Sequence, residues 1–592
     1  MANNIMNDLM FNQVLMSDGY VVDFAIGTTY GLDMESLLSI PLTMELMSEI
    51  TETTMPPHFL MEAIRKSADR FVIFCNAGNI IVPRNLSRVY SLLESCVYQV
   101  ALPTFNNSFV NFHPKVWVVK LSNPETGISI IKLAVMSRNL TQSIDMDVVC
   151  TLEGPISRFK APSYIRDKHK PLKDFLLWLA FRPRCNTKNK ILSLVETLDY
   201  IHGFEIDDRR FEDYDFFPMG FSDAYNGMNT CFNTPQFAEH VNQAVIISPF
   251  IDSTVLSMLA KAKNKGGKTL ITRQEYITQE ILEMYNDGVY AVKDTLNDET
   301  EEAISLDLHM KIYFINAYGR NYLYLGSTNA TRNGFDRNVE FLLGLRFRPN
   351  HMSYRIFRQE FINDHKDCRF EKIITPVVNP GTDKNSDEER IIRRFIASIY
   401  NAVAYRRKDD ETTFDLKVAY KKLRSESPIF LAPLQAYDKE QELGDFEIWF
   451  EKIQLIDLCD FYIIKVGKIR RIIKIPTTGI PTNERDTAIF RSFIDTKQKF
   501  LNYITFLLAD DKEEYVGEQA FIDEIKGEQN NGAQDDLNAS LYENMLRAAY
   551  THPDRIKEIA KIISKLDEKV IPAGFIQLYK QFEMAIKQIK KR

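Results

Sequence analysis

Two short stretches, His113-Pro114-Lys115 and His309-Met310-Lys311, set an imidazole and an ammonium two residues apart. On extended backbone, residues two apart share a face, so each pair projects together. Each is followed by a small polar turn, Ser137-Arg138-Asn139 in one case and Gly326-Ser327-Thr328-Asn329 in the other. An acidic residue then opens an apolar run, Asp147 in the first copy and Glu340 in the second. One His, one Lys, one Asn and one carboxylate therefore occur twice, in the same order. A neutral imidazole is a good nucleophile toward phosphorus, and a protonated one is a good acid for a leaving oxygen. An ordinary His pKa of about 6.5 allows both states near neutral pH. Lys115, Lys311, Asn139 and Asn329 would donate to phosphoryl oxygens on which charge develops. Asp147 and Glu340 would each hold an imidazole through its other ring nitrogen. Ser137 and Ser327, in tight turns, are expected to lie against substrate. The chemistry is that of a phosphodiester and calls for no metal and no other cofactor.

The set resembles the signature of the phospholipase D superfamily: His-x-Lys, a Gly/Ser-Ser-x-Asn turn, then an acid, in two copies that meet in one active site. Three departures are evident. No Asp follows either Lys at the family spacing, where Asn316 stands in the second copy; Met136 precedes Ser137 where Gly is usual; and Asp147 stands where Glu is usual. The missing Asp makes the chain more similar to the nuclease and tyrosyl-DNA phosphodiesterase branches. The resemblance covers roughly residues 20–350. It implies that His113 is the nucleophile, forming a phosphohistidine that water displaces, and that His309 is the general acid.

These residues need strands to carry them. Short apolar runs at 71–75, 112–120, 129–137, 244–250, 268–272, 306–315, 321–326 and 339–347 read as strands, with helical spacing over 253–263. The expectation is α/β: two phospholipase D-like α/β/α sandwich halves forming a pseudo-dimer, plus a mixed β-ribbon and α-helical C-terminal region. The halves are placed at 1–155 and 236–372, with 156–235 a connector holding one helix near 171–181. An α+β region follows over 373–510, with 387–408 helical and a ribbon from 445–457 and 461–475. Residues 511–538 read as a polar linker and 539–592 as a helical element.

Lys+Arg 73 against Asp+Glu 80 gives a net charge of −7, so any binding of nucleic acid must rest on local patches rather than on bulk charge. Three basic patches qualify: Lys261–Lys268, Lys465–Lys474, and a connector group that includes Lys168 and Lys170 beside Trp178. The connector group is the favoured substrate-binding one, because bases stack on aromatic rings while cations meet phosphates. Seven scattered Cys without a CxxC pair argue against a disulfide framework or a thiolate zinc cage. The first twenty residues lack a secretory pattern, and the apolar runs are too short to span a bilayer, so a cytoplasmic protein without a membrane partner is expected. His365-Lys366-Asp367 lacks the intervening residue and the Asn turn, and is read as an exposed helix end.

The reading is a metal-independent nuclease, cleaving DNA or RNA. The large C-terminal region points to an assembly surface, for an ATPase, helicase or sensor of an antiviral defence or restriction system, or for a second copy of the chain. Two rivals remain at this point. One is a phospholipid-hydrolysing enzyme of the same superfamily; the other is a non-catalytic nucleic-acid-binding scaffold subunit.

Overall fold

The computed structural model describes residues 15–46, 57–105, 108–143, 145–182, 185, 187–227, 241–260, 266–293, 307–363, 368–376, 387–425, 427–508, 545–548, 559–572, 574–580 and 582. The expected linker at 511–538, the string at 365–367 and Lys261–Lys265 lie outside them.

Apolar runs in the first half form a seven-stranded sheet in the order Glu205–Ile206, Val149–Pro155, Ser129–Met136, Val116–Ser122, Val21–Thr29, Phe71–Asn76 and Val97–Val100. The last three are parallel and the others antiparallel. Phe71–Asn76 is buried throughout, as a parallel strand covered on both faces should be. The second half forms an eight-stranded sheet in the order Phe211–Met219, Glu340–Phe347, Arg320–Gly326, Ile312–Ala317, Val241–Ile247, Lys268–Ile271, Val289–Val292 and Phe370–Ile373. Six strands follow one order and one set of directions in both sheets. The chain thus contains one structural unit twice.

Strand alternation then builds three layers of core. Val116 and Val118 face a core shared with Ile312, Phe314, Leu323 and Leu343 of the second sheet. Trp117, Val119 and Leu121 point the other way, toward the helices Met34–Leu46 and Lys497–Leu508. Tyr313 and Ile315 face the helix Ser253–Ala260. The two sheets therefore pack inner face to inner face.

The stretch 156–235 does more than connect. It holds the helices Ser163–Ala180 and Lys188–Thr197, the first burying His169, Leu172, Phe175, Leu176 and Leu179 at helical spacing. Its residues Glu205–Ile206 then close the edge of one sheet, and Phe211–Met219 close the edge of the other.

The C-terminal region departs from expectation in two places. The helix Asp387–Ser398 ends where 387–408 was read as one helix, and Ile399–Arg406 is a strand whose Ala402 and Ala404 alternate inward. The expected ribbon is split, because Glu447–Gln454 pairs with Thr413–Tyr420 while Phe461–Val466 pairs with Ile469–Lys474 in a different sheet. That second sheet also takes in Leu32–Asp33 and Ile80–Ile81 from the first half, so the region is continuous with that half. Among the described residues, no helix is long and apolar enough to cross a membrane.

Candidate active site

Both His-x-Lys stretches sit just before a strand rather than on it, since Val116–Ser122 and Ile312–Ala317 begin after each Lys. What fixes them is backbone pairing to the opposite half. The amide of His113 donates to the Val339 carbonyl (2.9 Å), and the amide of Val339 donates to Asn111 (2.9 Å). In the second copy, Asp307-Leu308 pairs in parallel with Asp145-Met146, and the His309 amide donates to the Met146 carbonyl (3.1 Å). Each His segment is therefore laid against the acidic segment of the other half.

The side chains cross in the same way. His113 Nδ1 lies 2.9 Å from Glu340 Oε2, and His309 Nδ1 lies 2.7 Å from Asp147 Oδ1. Neither acid serves the His of its own copy. A carboxylate on Nδ1 fixes the tautomer and turns Nε2 toward the remaining space. The two motifs are thereby joined into one cluster, in which Lys311 bears on His113 and Lys115 bears on His309.

Ser137 and Ser327 do not line the substrate space as expected. Both are fully buried. Ser137 Oγ donates to Asp147 (2.7 Å) and accepts from the Val148 amide (3.0 Å). Ser327 Oγ donates to Glu340 and accepts from the Phe341 amide (2.9 Å). Their role is to position the carboxylates. Gly326 permits the second turn: its φ is +151°, and a Cβ there would sit 2.2 Å from the Phe341 carbonyl oxygen.

Lys115 and Lys311 are each 1% exposed, while the His113 and His309 side chains keep 12% and 16% of their surface. The imidazole edges are thus wetter than the ammonium groups. Lys115 Nζ lies 3.0 Å from His113 Nε2 and donates to the His113 carbonyl (3.0 Å); Lys311 donates to the His309 carbonyl (2.7 Å). Tyr30 flanks His113, with ring centroids 5.0 Å apart. Asn139 Oδ1 accepts from the Gly31 amide (3.4 Å), and Asn329 Oδ1 is buried without a hydrogen-bond partner among the described residues.

Burial dominates the electrostatics. It pulls His113 down to about 4, with Lys115 and Lys311 adding to the shift against Glu340. It pulls His309 down to about 3, with Lys311 reinforcing it against the pull of Asp147. Both rings are therefore neutral in the resting site, and the near-neutral titration expected from an ordinary His does not apply. Burial also lowers Lys311 to about 8 and Lys115 well below its ordinary value. Burial raises Asp147, but His309, Ser137 and Lys311 outweigh it and the carboxyl ends below its usual range.

Lys168 and Lys170, expected to bind substrate, are occupied elsewhere. Lys168 pairs with Asp213 and lies over the Tyr214 ring, while Lys170 pairs with Asp174 on the same helix. The four-residue spacing of Lys170 and Asp174 on a helix could have announced that pair, whereas nothing in the sequence spacing announced Asp213. Arg138 was passed over, although it lies between Ser137 and Asn139; its Nη2 donates to the Ser143 carbonyl (3.0 Å) and its Nε is buried without a partner. The signal was there in the turn itself, where a cation occupies the position held by Thr328 in the second copy. Among the described residues, no group of three or more His, Cys, Asp or Glu side chains is placed to hold a metal ion.

No family model matches the chain, and no curated protein matches it. Among solved structures, a polyphosphate kinase from Porphyromonas gingivalis is similar over 65% of this chain and 50% of its own length, at 12% identity and a TM-score of 0.32. The chain spans about half the length of that kinase, and a likeness of this extent says nothing of activity.

Proposed function

We propose that the chain is a phosphodiesterase of the phospholipase D type, acting on nucleic acid through His113 and His309. The observation that carries this reading is the crossed pairing of each imidazole with the carboxylate of the other copy, which only a joint site requires. His113 Nε2 attacks phosphorus and the bond to the leaving oxygen breaks, His309 supplying that oxygen with a proton. The result is a phosphohistidine and a free hydroxyl. His309, now neutral, takes a proton from water; the oxygen bonds to phosphorus, and the bond to His113 breaks. Lys115, Lys311, Asn139 and Asn329 stabilise the charge on the non-bridging oxygens.

The resting site holds Lys115 on the Nε2 lone pair of His113. A phosphate oxygen would take that ammonium and release the lone pair for attack. The same anion would raise His309 from its depressed pKa and so bring the acid its proton. Delivery of substrate by an ATPase or helicase docked on the C-terminal region belongs to the same reading, as does a role in restriction or antiviral defence.

Labelled DNA, RNA and phospholipid, incubated with the full chain in EDTA, test it. The expected result is EDTA-resistant cleavage of nucleic acid, lost in His113→Ala. Quenched in alkali during turnover, the unsubstituted chain should carry a phosphoryl adduct on the peptide containing His113, and His113→Ala none. Near-normal cleavage by either variant overturns the assignment, and headgroup release without strand cleavage would move the substrate to phospholipid.

A further inference from the structure

The C-terminal end of the helix Ser163–Ala180 carries a patch that the catalytic set leaves unused. Trp178 is half-buried and stacks on Phe112, with ring centroids 6.2 Å apart and planes at 23°. Phe112 is the residue before His113. The Arg182 guanidinium lies 4.2 Å over the Trp178 ring, and Phe221 borders the same indole at 5.8 Å. Phe181 is 58% exposed, and the Lys188 ammonium lies 4.1 Å from its ring. Two aromatic rings, each with a cation over it, therefore lie at one helix end, and Trp178 packs on the residue that precedes an imidazole.

The charges of this patch differ from those earlier on the helix. Lys168, Lys170 and Lys173 are neutralised by Asp213, Asp174 and Asp199. Arg182 and Lys188 have no carboxylate partner among the described residues, and Arg182 Nε is buried without a hydrogen-bond partner.

The two flanks of the site are also unlike. Beside His113 the paired backbones carry Asn111 and Asn338, the Asn111 amide donating to Asn338 Oδ1 (3.1 Å). At the matching positions beside His309 stand Asp307 and Asp145. Arg273 donates to Asp307 (3.0 Å) and bears on Asp145 through its charge, so one cation faces two carboxylates. A polyanion running along the His309 flank meets carboxylates, whereas one running along the His113 flank meets amides and then two unpaired cations.

We propose that the Trp178–Phe181 patch is a stacking shelf for a single-stranded segment of the nucleic-acid substrate. Phe181 takes one base and the Arg182–Trp178 stack another, Arg182 and Lys188 take the adjoining phosphates, and the strand runs on along the Asn111–Asn338 flank to His113. The proposal rests on the phosphodiesterase reading and narrows its substrate. A duplex hides its base faces within its own stack, so it would gain only the phosphate contacts here.

The test is binding, measured on the full chain carrying His113→Ala so that cleavage does not intrude. Labelled oligothymidylate and a duplex of equal length are titrated by fluorescence anisotropy. The expected result is tighter binding of the single strand, with Trp178→Leu and Arg182→Gln each weakening it about 10-fold, the scale of one lost base stack or phosphate contact. Leu keeps apolar volume against Phe112, and matched circular dichroism and melting curves establish that both variants fold. Equal affinity for the duplex, or unchanged affinity in folded variants, overturns the shelf. Single-strand binding without any cleavage by the unsubstituted chain would sink the phosphodiesterase and leave the shelf standing. EDTA-resistant hydrolysis with variant-insensitive binding would do the reverse.

Discussion

Sulfate should bind the site with uptake of a proton. In the resting site His113 and His309 are held at about 4 and about 3 by burial and by two nearby ammonium groups, so both rings are neutral at mildly acidic pH. A tetrahedral dianion seated against Lys115, Lys311 and the two rings favours the charged form of whichever imidazole it touches. One unit-charge pair at about 4 Å and an effective dielectric of about 20 is worth about 4 kcal/mol, or about three pKa units. That is enough to bring an imidazole from about 4 to near neutrality. Between the resting and the bound pKa, the free ring must gain a proton for the complex to form. Affinity therefore falls as pH rises, by about tenfold per pH unit for one proton, and levels off below the resting pKa. Sulfate itself does not titrate in this range, and Lys311, at about 8, is already protonated. Calorimetric titration in two buffers of different ionisation enthalpy, between about pH 5 and 6, reads the uptake directly. The expectation is close to one proton per sulfate, abolished when both His113 and His309 are replaced by Ala. Affinity that ignores pH refutes the reasoning. So does uptake that persists in the double variant, which would put the proton on Lys115.

Gly326→Ala drives a Cβ to 2.2 Å from the Phe341 carbonyl at φ +151°, next to Glu340; EDTA-resistant cleavage should collapse and the melting temperature fall, and retention of both would mean that the turn does not hold Glu340. Arg485, 1% exposed, pairs with Glu94 across the join between the C-terminal region and the first half (2.7 Å). Arg485→Met strands a buried carboxylate and should cost about 3–5 kcal/mol in urea unfolding. Burial and Asp460 already push Glu94 up to about 7 against Arg485, and without Arg485 the carboxyl is raised further and loses its penalty as it protonates; the defect should therefore shrink as pH falls toward about 7 and level off below it, and a defect that grows with acidity would contradict this.

The residues of the candidate site were legible as a pattern because each motif is local: a His and a Lys two apart, an Asn turn, an acid. The repeat made the two-sheet α/β fold legible as well. The crossing of Asp147 and Glu340 was not, since it depends on 111–113 pairing with 338–340, a separation of 227 residues at His113–Glu340, and on 145–146 pairing with 307–308, a separation of 162 at His309–Asp147. Nor could the residues show that Ser137 and Ser327 turn inward, because a serine in a tight turn reads alike whether its hydroxyl meets a ligand or a carboxylate. Lys168 and Lys170 misled for a related reason: Asp213, the partner of Lys168, arrives on a distant sheet edge that was read as connector. The strand Ile399–Arg406 was missed because the charged helical pattern of 387–398 runs straight into it.

A single shared site has a kinetic signature that separate sites lack. Groups that act as a unit lose nearly everything on the first removal. Single-turnover cleavage of a labelled single strand in EDTA by His113→Ala, His309→Ala and the double variant reads this directly. The double variant should be no slower than either single one. Losses that multiply, or a single variant that keeps half the activity of the unsubstituted chain, would mean that the imidazoles at 113 and 309 do not serve one phosphorus atom.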